Sequence, residues 1–345
     1  MSLRGWLSVV TFVLIGVVLF FSRHELQHAW QLLERVNIWI LLLLFPIQIV
    51  AYYASGEMYF SYLRAKGKMA NVPKSQQAMI ALEGNFVNHL LPSGGVSGAS
   101  YLTWRLGHLG ISPGRATMSQ VVRHAASFAA FTVLLFIALF VITVDGSINR
   151  WIIFTSALLI LAMSMITVGL IYLFSNRRRT AAFGEWVVRA STVVVRRLTF
   201  GRKRSGLKQK DVSQYFDDMH DDFLEMKHDK RLLIKPFLWG VVFTILDAGM
   251  FVVTFWALGE VFNPAPILIA YGVATMASFV VLTPGGAGAY EAIMVGFLTV
   301  AGIAQGVAIA GIVLTRVIIL LGTIICGYMF YQKALLKYGK PKAER

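Results

Sequence analysis

The sequence predicts an all-α polytopic membrane protein, and three observations carry that class. Of its 345 residues, 57% are hydrophobic and only 14% are charged, against about 25% charged in soluble domains. The apolar residues gather into runs that match the roughly 20 residues a helix needs to cross a bilayer. The ten-residue alternation of an outer-membrane barrel is absent. Finally, the basic residues sort by side. With the N-terminus inside, only Arg23, Arg35 and Arg150 of the 32 lysines and arginines face outward. That asymmetry follows the positive-inside rule and places both termini in the cytoplasm.

The elements follow in chain order. Residues 1–35 read as a signal anchor and an external connector: Gly5–Phe21 follows Arg4, and its flank "FSRHELQH" has no small-residue cleavage site, so the segment is expected to stay. Five further full spans are predicted at Val36–Phe60, Gln120–Val144, Trp151–Phe174, Pro236–Val261 and Val307–Phe330. Two regions, Ser75–Leu106 and Pro266–Ala304, are each a pair of short apolar pieces around a Gly-rich break. The count is therefore six full spans plus two broken, re-entrant hairpins. Residues 175–235 form a basic cytoplasmic insertion. Its "EWVVRASTVVVRR" is amphipathic and suits the headgroup level. Its "DDMHDDFLEMKHDKR" reads as a solvated helix face rather than a metal site. Residues 331–345 are a basic tail.

Cys326 is the single cysteine and lies in an apolar run, so no internal disulfide or thiolate metal site is expected. The seven histidines show no zinc spacing, and no nucleotide-binding P-loop motif occurs. No cofactor is expected. The net charge of +15 is explained by the cytoplasmic face meeting anionic inner-leaflet lipids, with no call for nucleic acid.

The two broken regions resemble each other. One holds "HLLPSGGVSGASY" and the other "VLTPGGAGAYEA". Arg123 follows Pro92 by 31 residues and Arg316 follows Pro284 by 32; Glu57 and Asp247 precede the same prolines by 35 and 37. The span–hairpin–span unit thus occurs twice: residues 36–174 hold the first copy with one added span, and residues 236–330 hold the second. The first hairpin opens to the cytoplasm and the second to the outside. Inverted repeats with interrupted helices mark alternating-access transporters. Non-helical backbone must sit in protein or line a wet cavity, so Gly94, Gly95 and Gly98, with Gly285, Gly286 and Gly288, are candidate binding-site residues. The alternative is that these glycines serve tight helix packing.

Charges within spans are costly and functional by default, at about 2.5–3.5 kcal/mol each on insertion scales. Arg123 and Arg316 are candidate phosphate clamps. Their alternative role is a salt bridge with Glu291, Asp247 or Glu83. Glu291 and Asp247 would balance charge or meet an amine. Glu83, Asn85, Asn88, His89 and His124 are supporting polar residues, with Glu83, Asn85 and His89 expected to share part of a helical face. Glu57, near a span end, is expected to snorkel.

The segments "PSGGVSGASY" and "LTPGGAGAYEA" resemble the paired Pro-Gly-Gly motifs of the lysylphosphatidylglycerol synthase transmembrane family, which includes the flippase domain of the multiple peptide resistance factor. The likeness runs from about Val36 to Phe330. The second motif, with a glutamate after its glycines, is the more specific. In the first, Ser93 separates Pro92 from the glycine pair. The resemblance implies a lipid translocator with a central cavity between inverted repeats. Family members stand alone or carry a soluble aminoacyl-transferase domain. With Arg345 about fifteen residues past the last span, a stand-alone member without lipid-synthesis activity is expected.

The leading expectation is a flippase-like translocase of the cytoplasmic membrane and not an enzyme. Its partners would be anionic phospholipids or polyprenyl-phosphate lipids, and a homo-oligomer is compatible with the sequence. The rival readings are a small-solute secondary transporter and a transferase or accessory subunit of a lipid or glycolipid pathway.

Overall fold

The computed structural model describes residues 31, 34–69, 71–90, 96–144, 150–198, 209–278 and 287–339. Among them the protein is helical, with no strand. Gly5–Phe21 and both Pro-Gly-Gly turns, including Pro92, Gly94, Gly95, Gly285 and Gly286, lie outside the described residues.

Five described helical segments are long and apolar enough to cross a membrane. They coincide with the five predicted full spans beyond the first segment. The first is α1 (Ile38–Ala65), which is interrupted at Leu43. Pro46 explains the interruption: it has no N–H for the carbonyl of Leu42 and its ring crowds that carbonyl. Asn37 starts the segment by accepting the N–H of Trp39 on its side-chain oxygen at 3.1 Å, an N-cap.

A pair of short helices follows, α2 (Lys74–Leu90) and α3 (Val96–Gly107). Next comes α4 (Pro113–Val144), which begins seven residues before the expected Gln120. Its opening turns stand beyond the apolar run and hold the contacts to the α6–α7 arm described below. The span α5 (Arg150–Phe174) leads into two helices of the basic insertion, α6 (Arg177–Leu198) and α7 (Gln209–His228). A 3-10 turn, Lys230–Leu233, opens α8 (Ile234–Ala257). The second short pair is α9 (Pro264–Ser278) and α10 (Ala289–Val300), and α11 (Gln305–Tyr338) is last. At 34 residues, α11 is about 50 Å long, so it outruns a hydrocarbon core of about 30 Å and its aromatic end packs on α3.

The packing is reciprocal. Helix α8 lies along α1; α2 packs on α11, while α9 packs on α4. Two apolar clusters result. One joins Phe128, Phe131 and Leu135 of α4 to Phe251, Tyr271, Met294 and Ile312 of α8–α11. The other joins Tyr59, Tyr62, Leu102 and Val122 to Phe216 and Phe223 of α7.

The arm formed by α6 and α7 is fastened to the spans. Asp222 is buried and its Oδ1 accepts both Lys66 Nζ, in the α1–α2 connector, and Arg115 Nε of α4, the latter at 3.1 Å. His220 Nδ1 donates to the carbonyl of Phe174, at the end of α5, at 2.7 Å. Glu57 does not snorkel. It is buried and pairs with Arg64, one of whose nitrogens also donates to Gln77. Burial inside the bundle, beside a ready cation two turns along, outweighs the route to the interface.

Candidate functional site

A cavity of about 470 Å³ lies where the two apolar clusters meet, and it draws side chains from α1–α5 and α8–α11. Its polar lining includes Asn85, Asn88, His89, Gln120, Arg123, His124, Asp247 and Arg316. Tyr52, Tyr59, Tyr271 and Tyr290 add hydroxyl-bearing rings. The cavity therefore gathers Arg123, Arg316, Asp247, Gly98 and four of the five supporting polar residues named from sequence. Glu83 is the exception.

Helical spacing builds the Arg123 side. Gln120, Arg123 and Ser127 are three and four residues apart on α4 and share its cavity face. Gln120 Nε2 donates to the carbonyl of Ala99 on α3 at 3.1 Å, and Ser127 Oγ donates to Met58 Sδ on α1 at 3.4 Å. These contacts fix the face that presents the guanidinium. Arg123 itself has no hydrogen-bond or ion-pair partner among the described residues. On α2, His89 Nδ1 lies 2.9 Å from the carbonyl of Asn85. A carbonyl only accepts, so Nδ1 carries the proton and neutral His89 keeps Nε2 as an acceptor. Gly98 allows α3 to cross α2 closely, since a Cβ there would meet the Asn88 side chain at 2.7 Å and the carbonyl of Gly84 at 3.1 Å. Packing is therefore one demonstrable role of this glycine.

The Arg316 side is built differently. Gly288 opens α10 with φ +89°, a conformation that side chains disfavour. Its N–H donates to Glu291 Oε2 at 2.6 Å, while Glu291 Oε1 accepts Arg316 Nε at 2.7 Å. Arg316 also sits 4.5 Å over the Tyr290 ring, and Tyr290 stacks on Phe251 with 6.3 Å between centroids. One carboxylate thus caps a helix and holds an arginine. Asp247 accepts the Tyr271 hydroxyl at 2.7 Å, so α8 and α9 together present it to the cavity.

Glu83 turns away. Its Oε2 accepts Tyr101 Oη at 2.9 Å and Arg105 Nε at 3.1 Å, and Arg105 lies 4.3 Å over the Tyr338 ring. The physical reason is angular: two residues along a helix is about 200° of rotation, so Glu83 and Asn85 face opposite ways while Asn85 and His89 agree. The reading from sequence missed Gln120, Tyr59, Tyr271 and Tyr290. Gln120 could have been found from its spacing to Arg123; the tyrosines carry no comparable signal.

Among the described residues, no group of three or more His, Cys, Asp or Glu side chains could hold a metal ion. The arrangement suits recognition of an anion by Arg123, with amide, imidazole and hydroxyl groups around it and an opposite charge at Asp247.

Comparison with known proteins places this architecture. Residues 5–327 match the family described as the lysylphosphatidylglycerol synthase TM region. The chain is similar to a UPF0104 membrane protein of Methanothermobacter thermautotrophicus, 25% identical over 253 residues that cover 72% of each chain. A second UPF0104 membrane protein match in that organism is 29% identical over 136 residues, covering 39% of this chain and 37% of the relative. With five apolar spanning helices and a family match over nearly its whole length, the chain is a multi-pass membrane protein that belongs to the lysylphosphatidylglycerol synthase TM region family.

Proposed function

We propose that this protein translocates a lipid with an anionic, phosphate-bearing head group across the cytoplasmic membrane. The observation that carries the reading is Arg123: a guanidinium lining a partly open cavity within the bundle, with no hydrogen-bond or ion-pair partner among the described residues. A half-buried charge without a partner is costly within a membrane bundle, and a ligand phosphate, which pairs with the guanidinium in a fork, relieves it. The cavity volume of about 470 Å³ accommodates a head group and not two acyl chains, which would remain in the bilayer. Asn85, Asn88 and Gln120 would donate amide hydrogens in place of water around the phosphate, and Asp247 would meet a cation or amine travelling with it.

The short helix pairs act in this reading as re-entrant hairpins of two inverted repeats, α1–α4 and α8–α11. The reciprocal packing supports it: exchanging the repeats maps the α2–α11 contact onto the α9–α4 contact. Rocking one repeat against the other would expose Arg123 to each leaflet in turn.

Reconstitution into liposomes with fluorescently labelled phosphatidylglycerol or a polyprenyl phosphate tests this. Dithionite accessibility reports translocation. The expected result is protein-dependent flipping that Arg123→Ala removes. Absence of flipping for either lipid, together with uptake of a water-soluble phosphate ester, would instead support the small-solute reading.

A further inference from the structure

We propose that helix α6 lies in the headgroup layer of the cytoplasmic leaflet and grips anionic phospholipid there. Its described part has three faces. Thr180 and Gly184 turn inward: the Thr180 hydroxyl donates to the carbonyls of Leu173 and Asn176 at 3.0 and 3.2 Å, and Gly184 abuts the Phe216 ring of α7. Phe183, Trp186, Ala190 and Val193, spaced by three, four and three residues, line a second face. Trp186 is 58% exposed and Val193 52%. The Phe183 and Trp186 rings stack with 5.5 Å between centroids. The third face carries Arg178, Glu185 and Arg189, all exposed.

Continuity with the adjoining span identifies the occupant of the apolar face. Two residues, Ser175 and Asn176, separate α6 from α5, so α6 starts at the depth where that span ends. The Arg179 guanidinium lies 3.7 Å over the Tyr172 ring and donates to the Tyr172 carbonyl at 3.2 Å. Tyr172 and Val168 are exposed on α5, a span long and apolar enough to cross a membrane. The lipid-facing surface of α5 therefore runs through Arg179 onto Phe183 and Trp186. A tryptophan with an apolar body and a polar N–H suits this depth, and flanking arginines select anionic head groups.

The arm is held in that posture. Arg177 Nε donates to Asp217 of α7 at 3.1 Å, and α7 is bolted to α4 through Asp222 and Arg115 at 3.1 Å. Contact between α6 and the leaflet is thus relayed to the helix that carries Arg123, eight residues along from Arg115. The interaction does not depend on what the cavity carries.

Spin labelling tests it with the full-length protein in lipid nanodiscs. Single cysteines replace Ala190, on the apolar face, and Glu185, on the polar face, in a Cys326→Ser background. With phosphatidylglycerol present, the label at 190 is expected to meet oxygen and be shielded from a water-soluble nickel chelate, and the label at 185 to show the reverse. Adding Arg178→Gln and Arg189→Gln is expected to weaken the hold on the leaflet by about fivefold per arginine lost, about 25-fold together, and so to raise nickel access at 190. Equal nickel access at the two positions would overturn the proposal. Shielding that is unchanged when phosphatidylcholine replaces phosphatidylglycerol would overturn the anionic preference. Shielding that persists in detergent and tracks dimer formation would assign the face to a second copy instead.

Discussion

Arg123 and Arg316 follow their Gly-rich turns by almost the same number of residues and reach the same cavity, yet they stand in opposite electrostatic states. Arg316 has Glu291 at 2.7 Å and Tyr290 beneath it. Arg123 has no such partner among the described residues. The difference is written in the returning arm of each hairpin. Helix α10 carries Glu291 on its first turn, whereas α3, "VSGASYLTWRLG", has no carboxylate at all. On the proposed repeat, matching positions hold an ion pair on one side and an arginine open to a ligand on the other. Two arginines that the sequence presents as equal clamps are therefore expected to do different work: Arg316 orders the second hairpin and Arg123 meets the ligand.

The sharpest way to break this comparison is Arg123→Ala. Losing a charge-assisted contact to phosphate is expected to cut the flipping rate about 10–100-fold. The melting temperature should hold or rise, because a half-buried charge without an ion-pair partner among the described residues has been removed. Lysine at 123 should restore part of the rate, since it keeps the charge and loses the fork. Next in size is Ala99→Glu, which gives the first hairpin the carboxylate that the second already has. Ala99 lines the cavity beside Gln120. A glutamate there is expected to occupy Arg123 and lower flipping about tenfold, with stability retained.

Arg316→Ala should read out mainly as stability. Glu291 is left without its partner, and both side chains are about one-fifth exposed, so the expected loss is about 1–3 kcal/mol rather than the full penalty of a buried pair. Combining it with Glu291→Gln should recover most of that loss by thermal denaturation in nanodiscs. The smallest effect is expected at the helix start. Gly288→Ala forces a side chain to φ +89°, costing about 1–2 kcal/mol, with no atom close enough to clash.

The spans were legible because lipid demands long apolar runs, so composition alone located α1, α4, α5, α8 and α11. Their ends were less so. Helix α4 starts at Pro113 because Arg115 and Gly114 serve the α7 arm, a tertiary contact that no apolar run reports. The pairing of Glu291 with Arg316 stood among the alternatives read from spacing. The partner of Glu83 did not, because Arg105 sits across a hairpin turn and its pairing depends on how α3 folds back on α2. The cavity tyrosines were hidden for a similar reason: aromatic residues are common in every span, and only packing decides which of them face the polar centre.

The central claim is that Arg123 is an open seat for a phosphate. A density map of the protein in nanodiscs containing phosphatidylglycerol tests it most directly. The predicted result is a lipid phosphate about 3 Å from the Arg123 guanidinium, with Arg316 still held by Glu291. A cavity packed shut around Arg123, or a guanidinium paired with a carboxylate of the protein itself, would contradict it.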